Sequence, residues 1–154
     1  GSGDQQYGTR AVISQGHEIA DSCGCSGIAY VGVTNSTSNH DKYQPAFAFP
    51  GDYGPRTTAD TVSHETGHNF GLSHDGTSTK GYYAGQGAWA PIMGVGYYKP
   101  ITQWSKGEYA LANNTEDDLA ITRASVGSSL PDDHGNTAGT ATTARGSIAA
   151  QARR

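Results

Sequence analysis

The chain has 154 residues and a formal net charge of -4 at pH 7, with 16% charged and 34% hydrophobic residues. This length favours a single domain, and the acidic balance excludes the basic surface that nucleic-acid binding requires. No apolar run reaches the roughly 18 residues of a membrane-spanning helix, and the 22 glycines, with plentiful Ser, Thr and Asn, are typical of a loop-rich extracellular domain.

Residues 1–33 contain one predicted strand and both cysteines of the chain. The stretch Gly27–Val33 is rich in β-branched and aromatic residues and is bounded by Cys and Thr, which predicts a strand. Cys23 and Cys25 are poorly spaced for a zinc knuckle, and the chain has no second pair. They pair with each other, pair with cysteines that lie outside this sequence, or are free. An oxidising compartment favours a disulfide without identifying the partner.

Residues 34–56 are predicted to form a loop that leads into a long helix. The segment is rich in Asn, Ser, Gly and Tyr, and three prolines argue against a regular element within it: Pro45, Pro50 and Pro55. The helix is expected to begin near Thr57 or Thr58, either of which can cap it, and to end near Phe70. Val62 and Phe70 are expected to pack inward.

This helix carries the most informative pattern in the chain, H-E-x-x-H-x-x-G-x-x-H-D, which begins at His64. Residues four apart on a helix lie about 40° apart around its axis, so His64 and His68 can bind one ion from the same face. Gly71 allows a left-handed turn out of the helix, which can bring His74 back as a third ligand.

The ligand set indicates catalytic rather than structural zinc. Three neutral imidazoles leave the fourth position of one Zn²⁺ ion open to water. Glu65 follows the first ligand directly and can act on that water as a general base. The competing interpretation of these residues is a solvated, histidine-rich helix face without a metal.

Two further helices are predicted downstream of a loop that is rich in glycine and aromatic residues. The first follows the capping-box pattern that begins at Ser105, and the second begins near Thr115, with Leu119 and Ile121 facing the core. Residues 126–154 contain too few large apolar side chains to form a core. They are expected to be a disordered linker or the start of a truncated accessory domain, so that residues 1–125 form the main domain.

On its zinc pattern the chain resembles the metzincin metallopeptidases, which carry H-E-x-x-H-x-x-G-x-x-H and a methionine turn downstream. Met93, the only methionine, follows His74 by 19 residues and resembles that turn. Asp75, directly after the third histidine, most resembles the adamalysin or reprolysin-like branch. The resemblance implies that Gly71, Asp75 and Met93 support the site.

The resemblance also implies a way of binding an extended peptide. In metzincins the strand before the active-site helix is an antiparallel edge strand that pairs with the substrate backbone. Here this implies substrate contacts along one segment: Ile28, Ala29, Tyr30, Val31 and Gly32. Tyr97 is expected to line the pocket for the substrate residue that follows the cleaved bond. At the position where some metzincins place a tyrosine near the metal, this chain has Val95.

Together these expectations describe a secreted, zinc-dependent endopeptidase with an α+β fold of the metzincin type. Its elements are an edge strand, a zinc-binding helix, a methionine turn and C-terminal helices. Because only 63 residues precede His64, the N-terminal subdomain is expected to be incomplete. Any export signal would lie upstream of Gly1, and the oligomeric state is not predicted. The alternatives are a non-catalytic zinc-binding or adhesion module and a zinc hydrolase that acts on something other than a peptide.

Overall fold

A computed structural model describes residues 8–15 and 17–127, together with 137, 139 and 140. The described chain is a mixed α+β structure with two small sheets. Its elements, in chain order, are β1 (Arg10–Ile13), α1 (His17–Cys23), β2 (Gly27–Ile28), α2 (His40–Tyr43), β3 (Pro45–Ala48), α3 (Gly54–Phe70), β4 (Trp89–Pro91), β5 (Ile101–Gln103) and α4 (Asp118–Val126). Within this part of the chain, no helix has both the length and the apolar character that a membrane crossing requires.

The N-terminal sheet has the order β1-β3-β2, with β1 parallel and β2 antiparallel to the central strand. The predicted strand Ile28–Val33 therefore begins as an antiparallel edge strand, but its predicted length is wrong, because β2 ends at Ile28. Beyond it, the N–H groups of Gly32 and Val33 donate to the carbonyls of His68 and Asn69 at the end of α3. Terminal helix carbonyls lack partners within the helix, so they take the donors that a longer strand would have used.

The prediction of an unstructured loop over residues 34–56 is wrong, because this segment contains α2, β3 and the start of α3. The prolines lie where each element tolerates them. Pro45 is the first residue of β3, and Pro55 lies in the first turn of α3, where a missing N–H costs little. Proline content therefore marked the ends of elements here rather than their absence.

Helix α3 begins at Gly54, a few residues before the predicted start, and ends at Phe70 as predicted. Thr58 does not cap it; its hydroxyl donates to the carbonyl of Gly54 inside the helix. Val62 and Phe70, which were predicted to pack inward, are partly buried. The buried residues of this helix are mostly polar or small: Thr61, Glu65, Gly67, His68 and Asn69.

The helix predicted to begin at Ser105 is absent, and residues 105–113 form turns. The backbone N–H of Ser105 donates to Asp118, and its hydroxyl donates to Asp75. The second predicted helix exists as α4, which Asp117 caps by accepting the N–H of Ala120 at 3.0 Å. Leu119 is 49% exposed, so its predicted core position is wrong.

The structure also bears on the predictions for the two cysteines and for the C-terminal segment. Cys23 and Cys25 form a disulfide with each other, with a Cα–Cα distance of 5.2 Å. Of the three alternatives left open for the cysteines, the structure therefore has the pairing within the chain. The predicted linker or accessory segment at 126–154 lies almost wholly outside the described residues. The division of the chain at residue 125 therefore stays a prediction.

Candidate metal centre

Three histidines converge at the end of α3 and in the turn that follows it. His64 and His68 lie one helical turn apart, and Gly71, with φ 109°, ends the helix in a left-handed conformation before His74. The ligand nitrogens of the three histidines all lie within 4.8 Å of one another. Nε2 of His68 is 2.9 Å from Nε2 of His74. These nitrogens are close enough to bind one ion in common.

Backbone carbonyls hold two of these rings in the orientation that metal binding needs. Nδ1 of His64 lies 2.8 Å from the carbonyl oxygen of Ile92, and Nδ1 of His68 lies 2.8 Å from that of Leu72. A ring that donates from Nδ1 presents an unprotonated Nε2 to a metal. Burial is the largest cause that lowers the pKa of His64 to about 4, and it also lowers the pKa of His68 and of His74. The imidazoles are therefore neutral at pH 7, and a set of three suits Zn²⁺.

Glu65 lies beside this cluster, on the face of α3 that packs under β2. Its side chain is buried, and burial raises its pKa to about 7 in the chain alone. Gly27 crosses directly over it, since a Cβ on Gly27 would lie 2.6 Å from Oε1 of Glu65. The cleft therefore contains a carboxyl group that is poised to hold or release a proton near neutral pH.

Met93 lies under α3 and is fully buried. A Cβ on Gly67 would lie 2.5 Å from Sδ of Met93, so the helix rests directly on this side chain. The same turn provides the carbonyl of Ile92 that holds His64, while the carbonyl of Met93 accepts the N–H of Asp75 at 2.8 Å. The turn thus contacts the chain on both sides of the histidine cluster.

Asp75 anchors the loop that follows His74. Its buried carboxylate accepts hydrogen bonds from the hydroxyls of Ser105, at 2.7 Å, and Tyr109, at 3.4 Å. Burial raises the pKa of Asp75, while these two hydrogen bonds lower it. The segment that carries the third histidine is therefore tied to residues 30 or more positions further along the chain.

An open cleft of about 310 Å³ brings together His64, Glu65 and Tyr97. Its other wall is the segment Gly24–Gly27, which includes one half of the disulfide. The hydroxyl of Tyr97 bonds to Oγ of Ser26 at 2.7 Å. Of the residues predicted to bind substrate, Tyr97 therefore lies beside the histidines.

The remaining predicted substrate contacts do not line this cleft. Ile28, Ala29 and Tyr30 line a separate apolar depression, Val31 is exposed, and the N–H of Gly32 is already bonded to His68. Gly27, the first residue of the predicted strand, lies beside Glu65, and residues 24–26 before it also line the cleft. The pattern of β-branched residues located the strand but could not show which end reaches the cleft.

Tyr82 is a cleft residue that the sequence did not single out. Its ring lies 4.3 Å from that of His74 and 6.1 Å from that of His64, between centroids. It also lines the cleft with Glu65. Tyr82 sits in a glycine-rich loop with no periodic pattern, so no local signal distinguished it from its neighbour Tyr83.

Comparison with known families identifies the family of this chain. The family model described as metallo-peptidase family M12 matches residues 10–105, which is more than half of the chain and includes the three histidines and Met93. The chain belongs to metallo-peptidase family M12. Peptidases of this family are zinc-dependent and act on proteins, in keeping with the three-histidine cluster. Searches of curated proteins and of solved structures found no significant match.

Proposed function

We propose that this protein is a zinc-dependent endopeptidase that hydrolyses peptide bonds within proteins. The observation that carries the proposal is the convergence of His64, His68 and His74 beside the buried carboxyl group of Glu65 in one open cleft. Membership of family M12 supports it independently. The three histidines would hold one Zn²⁺ ion.

Glu65 is proposed as the general base of the reaction. When bound, zinc supplies Lewis acidity, which polarises the peptide carbonyl and makes water acidic near neutral pH. Glu65 takes a proton from the attacking water and later delivers it to the amine that leaves. Glu65 is suited to both steps because its carboxyl group lies in the same cleft as His64, where a general base must reach the attacking water.

Gly71, Asp75 and Met93 are proposed as residues that support the site without touching substrate. Gly71 turns the chain toward His74, Asp75 ties the following loop to Ser105, and Met93 lies under α3. We assign this arrangement to the metzincin type.

A peptide substrate is proposed to lie along the free edge of β2. This strand is at the edge of the antiparallel part of the sheet, and Gly27 passes over Glu65. An extended peptide that pairs with this edge runs across the cleft, with Tyr97 lining the pocket for one of its side chains. Of the five substrate contacts predicted along residues 28–32, Ile28 lies in β2, whereas residues 29–32 follow the strand.

A secreted location is proposed for the protein, with residues 1–125 as its catalytic domain. The Cys23–Cys25 disulfide supports this proposal, since structural disulfides persist in oxidising environments.

Glu65→Gln tests the proposed function. The variant should keep its zinc, because the three histidines are untouched, and should lose at least about 100-fold in peptide cleavage, since its amide cannot take a proton. Zinc per chain and cleavage of an unfolded protein substrate should be measured together, with and without a chelator. Glu18→Gln, which alters an exposed glutamate, is the matched control.

The outcomes separate the two classes of function. Wild-type cleavage that a chelator abolishes, and that Glu65→Gln lacks, supports the endopeptidase. A chain that binds zinc but cleaves nothing contradicts it and favours a zinc-binding or adhesion module. Undiminished cleavage by Glu65→Gln refutes the role of Glu65 as the base.

A further inference from the structure

Two tyrosines line the cleft, and their hydroxyl groups differ in what they are bonded to. The hydroxyl of Tyr97 is held by Oγ of Ser26 at 2.7 Å and by Oγ1 of Thr61 at 3.4 Å. The hydroxyl of Tyr82 has no hydrogen-bond partner among the residues that the structure describes, although its ring lines the same cleft. Tyr82 therefore has a donor available for a bound molecule, whereas the donor of Tyr97 is already used.

The ring of Tyr82 packs against one of the three histidines. The ring centroids of Tyr82 and His74 lie 4.3 Å apart, and their planes are inclined by 43°. Tyr82 also lines the cleft together with Glu65 and Tyr97. Tyr82 thus stands beside the proposed metal ligands, where its hydroxyl and the proposed general base share the cleft.

Two backbone donors that line the cleft are already engaged in hydrogen bonds. The backbone N–H groups of Gly94 and Val95 donate to the carbonyls of Pro91 and Tyr83. The side chain of Val95 is apolar, and the described residues that line the cleft include neither lysine nor arginine. Any negative charge that develops on a substrate here has few protein donors to stabilise it.

We propose that Tyr82 is a catalytic residue that donates a hydrogen bond to the peptide oxygen as that oxygen becomes negatively charged. This assignment rests on the proposed endopeptidase function. As water adds to the carbonyl carbon, the C=O π pair moves onto the oxygen, and one proton of the water passes to Glu65. Tyr82 keeps its own proton throughout. The pair then returns to re-form the carbonyl, the C–N bond breaks, and the proton on Glu65 passes to the departing nitrogen.

The test is Tyr82→Phe, which removes the hydroxyl and keeps the ring against His74. Loss of one donor to a developing oxyanion costs on the order of 100-fold or more in well-buried sites, and this open cleft should show a fall in kcat of about 10- to 100-fold. KM should stay within about twofold, because the donor acts on the transition state rather than on the bound substrate. Zinc per chain should match the wild type.

A second measurement does not depend on turnover. A phosphinic peptide carries a tetrahedral, anionic centre, and its affinity is measured directly by calorimetry on the zinc-loaded chain. Tyr82→Phe should weaken that affinity by the same factor as it lowers kcat/KM, as expected for a transition-state analogue. Tyr98→Phe makes the same change at a tyrosine that is 91% exposed, and it should alter neither quantity.

The possible outcomes bear on the role of Tyr82, on the endopeptidase function, or on both. Unchanged kcat and unchanged phosphinic-peptide affinity in Tyr82→Phe overturn the role of Tyr82 and leave the endopeptidase intact. Loss of zinc from Tyr82→Phe also overturns it, since the ring then serves only to position His74. A wild-type chain that binds the phosphinic peptide but cleaves nothing refutes the endopeptidase and, with it, the catalytic role of Tyr82. A wild type that does neither overturns both.

Discussion

Asp118 should make the folded chain less stable as the pH rises from about 4 to about 6. The side chain is fully buried at the start of α4, where Oδ2 accepts the N–H of Ser105. The other oxygen, Oδ1, has no hydrogen-bond partner among the residues that the structure describes. Burial is the largest cause that raises its pKa from 3.8 to about 6, and the carboxylates of Asp75, Glu116 and Asp117 add to the rise. The folded chain therefore binds this proton more tightly than the unfolded chain does.

The sign and size follow from linkage between proton binding and folding. The stabilising contribution of this proton is fully present below about pH 4 and is lost as the pH rises through about 6. A shift of roughly two pKa units corresponds to about 3 kcal/mol. Asp118→Asn removes the ionisation but keeps an oxygen that can accept from Ser105. The unfolding free energy of the variant minus that of the wild type should therefore increase by up to about 3 kcal/mol between pH 4 and pH 7.

Urea unfolding at saturating zinc, at half-unit intervals from pH 4 to pH 7.5, measures this difference. Effects that both chains share, including proton competition at the histidines, cancel in the subtraction. Asp52→Asn, at an exposed aspartate, is the control and should give a flat difference. A difference for Asp118→Asn that changes by less than about 0.5 kcal/mol across the range would refute the reasoning, because Asp118 would then titrate alike in both states.

The remaining predictions concern a packing contact and a hydrogen bond near the proposed metal centre. Gly67→Ala places a methyl group 2.5 Å from Sδ of Met93 and should cost about 1–3 kcal/mol in urea unfolding; Gly81→Ala, which meets nothing within 4 Å, should cost far less. Equal losses at both positions would contradict the packing of α3 on Met93. Ser105→Ala removes a donor to the buried carboxylate of Asp75 and should cost about 1–3 kcal/mol in the same assay. A neutral result would show that this hydrogen bond does not hold the loop.

The histidine cluster could be predicted from sequence because its geometry is local. His64 and His68 are joined by one turn of a helix, and Gly71 fixes where that helix ends, so spacing alone brought the nitrogens together. Met93 required a resemblance, because its contact with Gly67 joins segments that no periodic pattern connects.

Two elements were predicted wrongly because their polar groups form hydrogen bonds with residues that are distant in the sequence. Ser105 matched a capping box, yet its N–H and hydroxyl bond to Asp118 and Asp75, and residues 105–113 form turns instead of a helix. Residues after Ile28 have the composition of a strand, yet Gly32 adopts φ 69° and bonds to the end of α3. In both cases tertiary hydrogen bonds overrode the local preference.

The contact between residues 32–34 and the end of α3 has a dynamic consequence. The N–H groups of Gly32, Val33 and Thr34 donate to the carbonyls of His68 and Asn69. These amides can exchange with solvent only when the segment separates from the helix terminus next to a proposed metal ligand. Their hydrogen-exchange rates therefore report local opening at His68, and added zinc should slow them together if the ion holds that terminus in place.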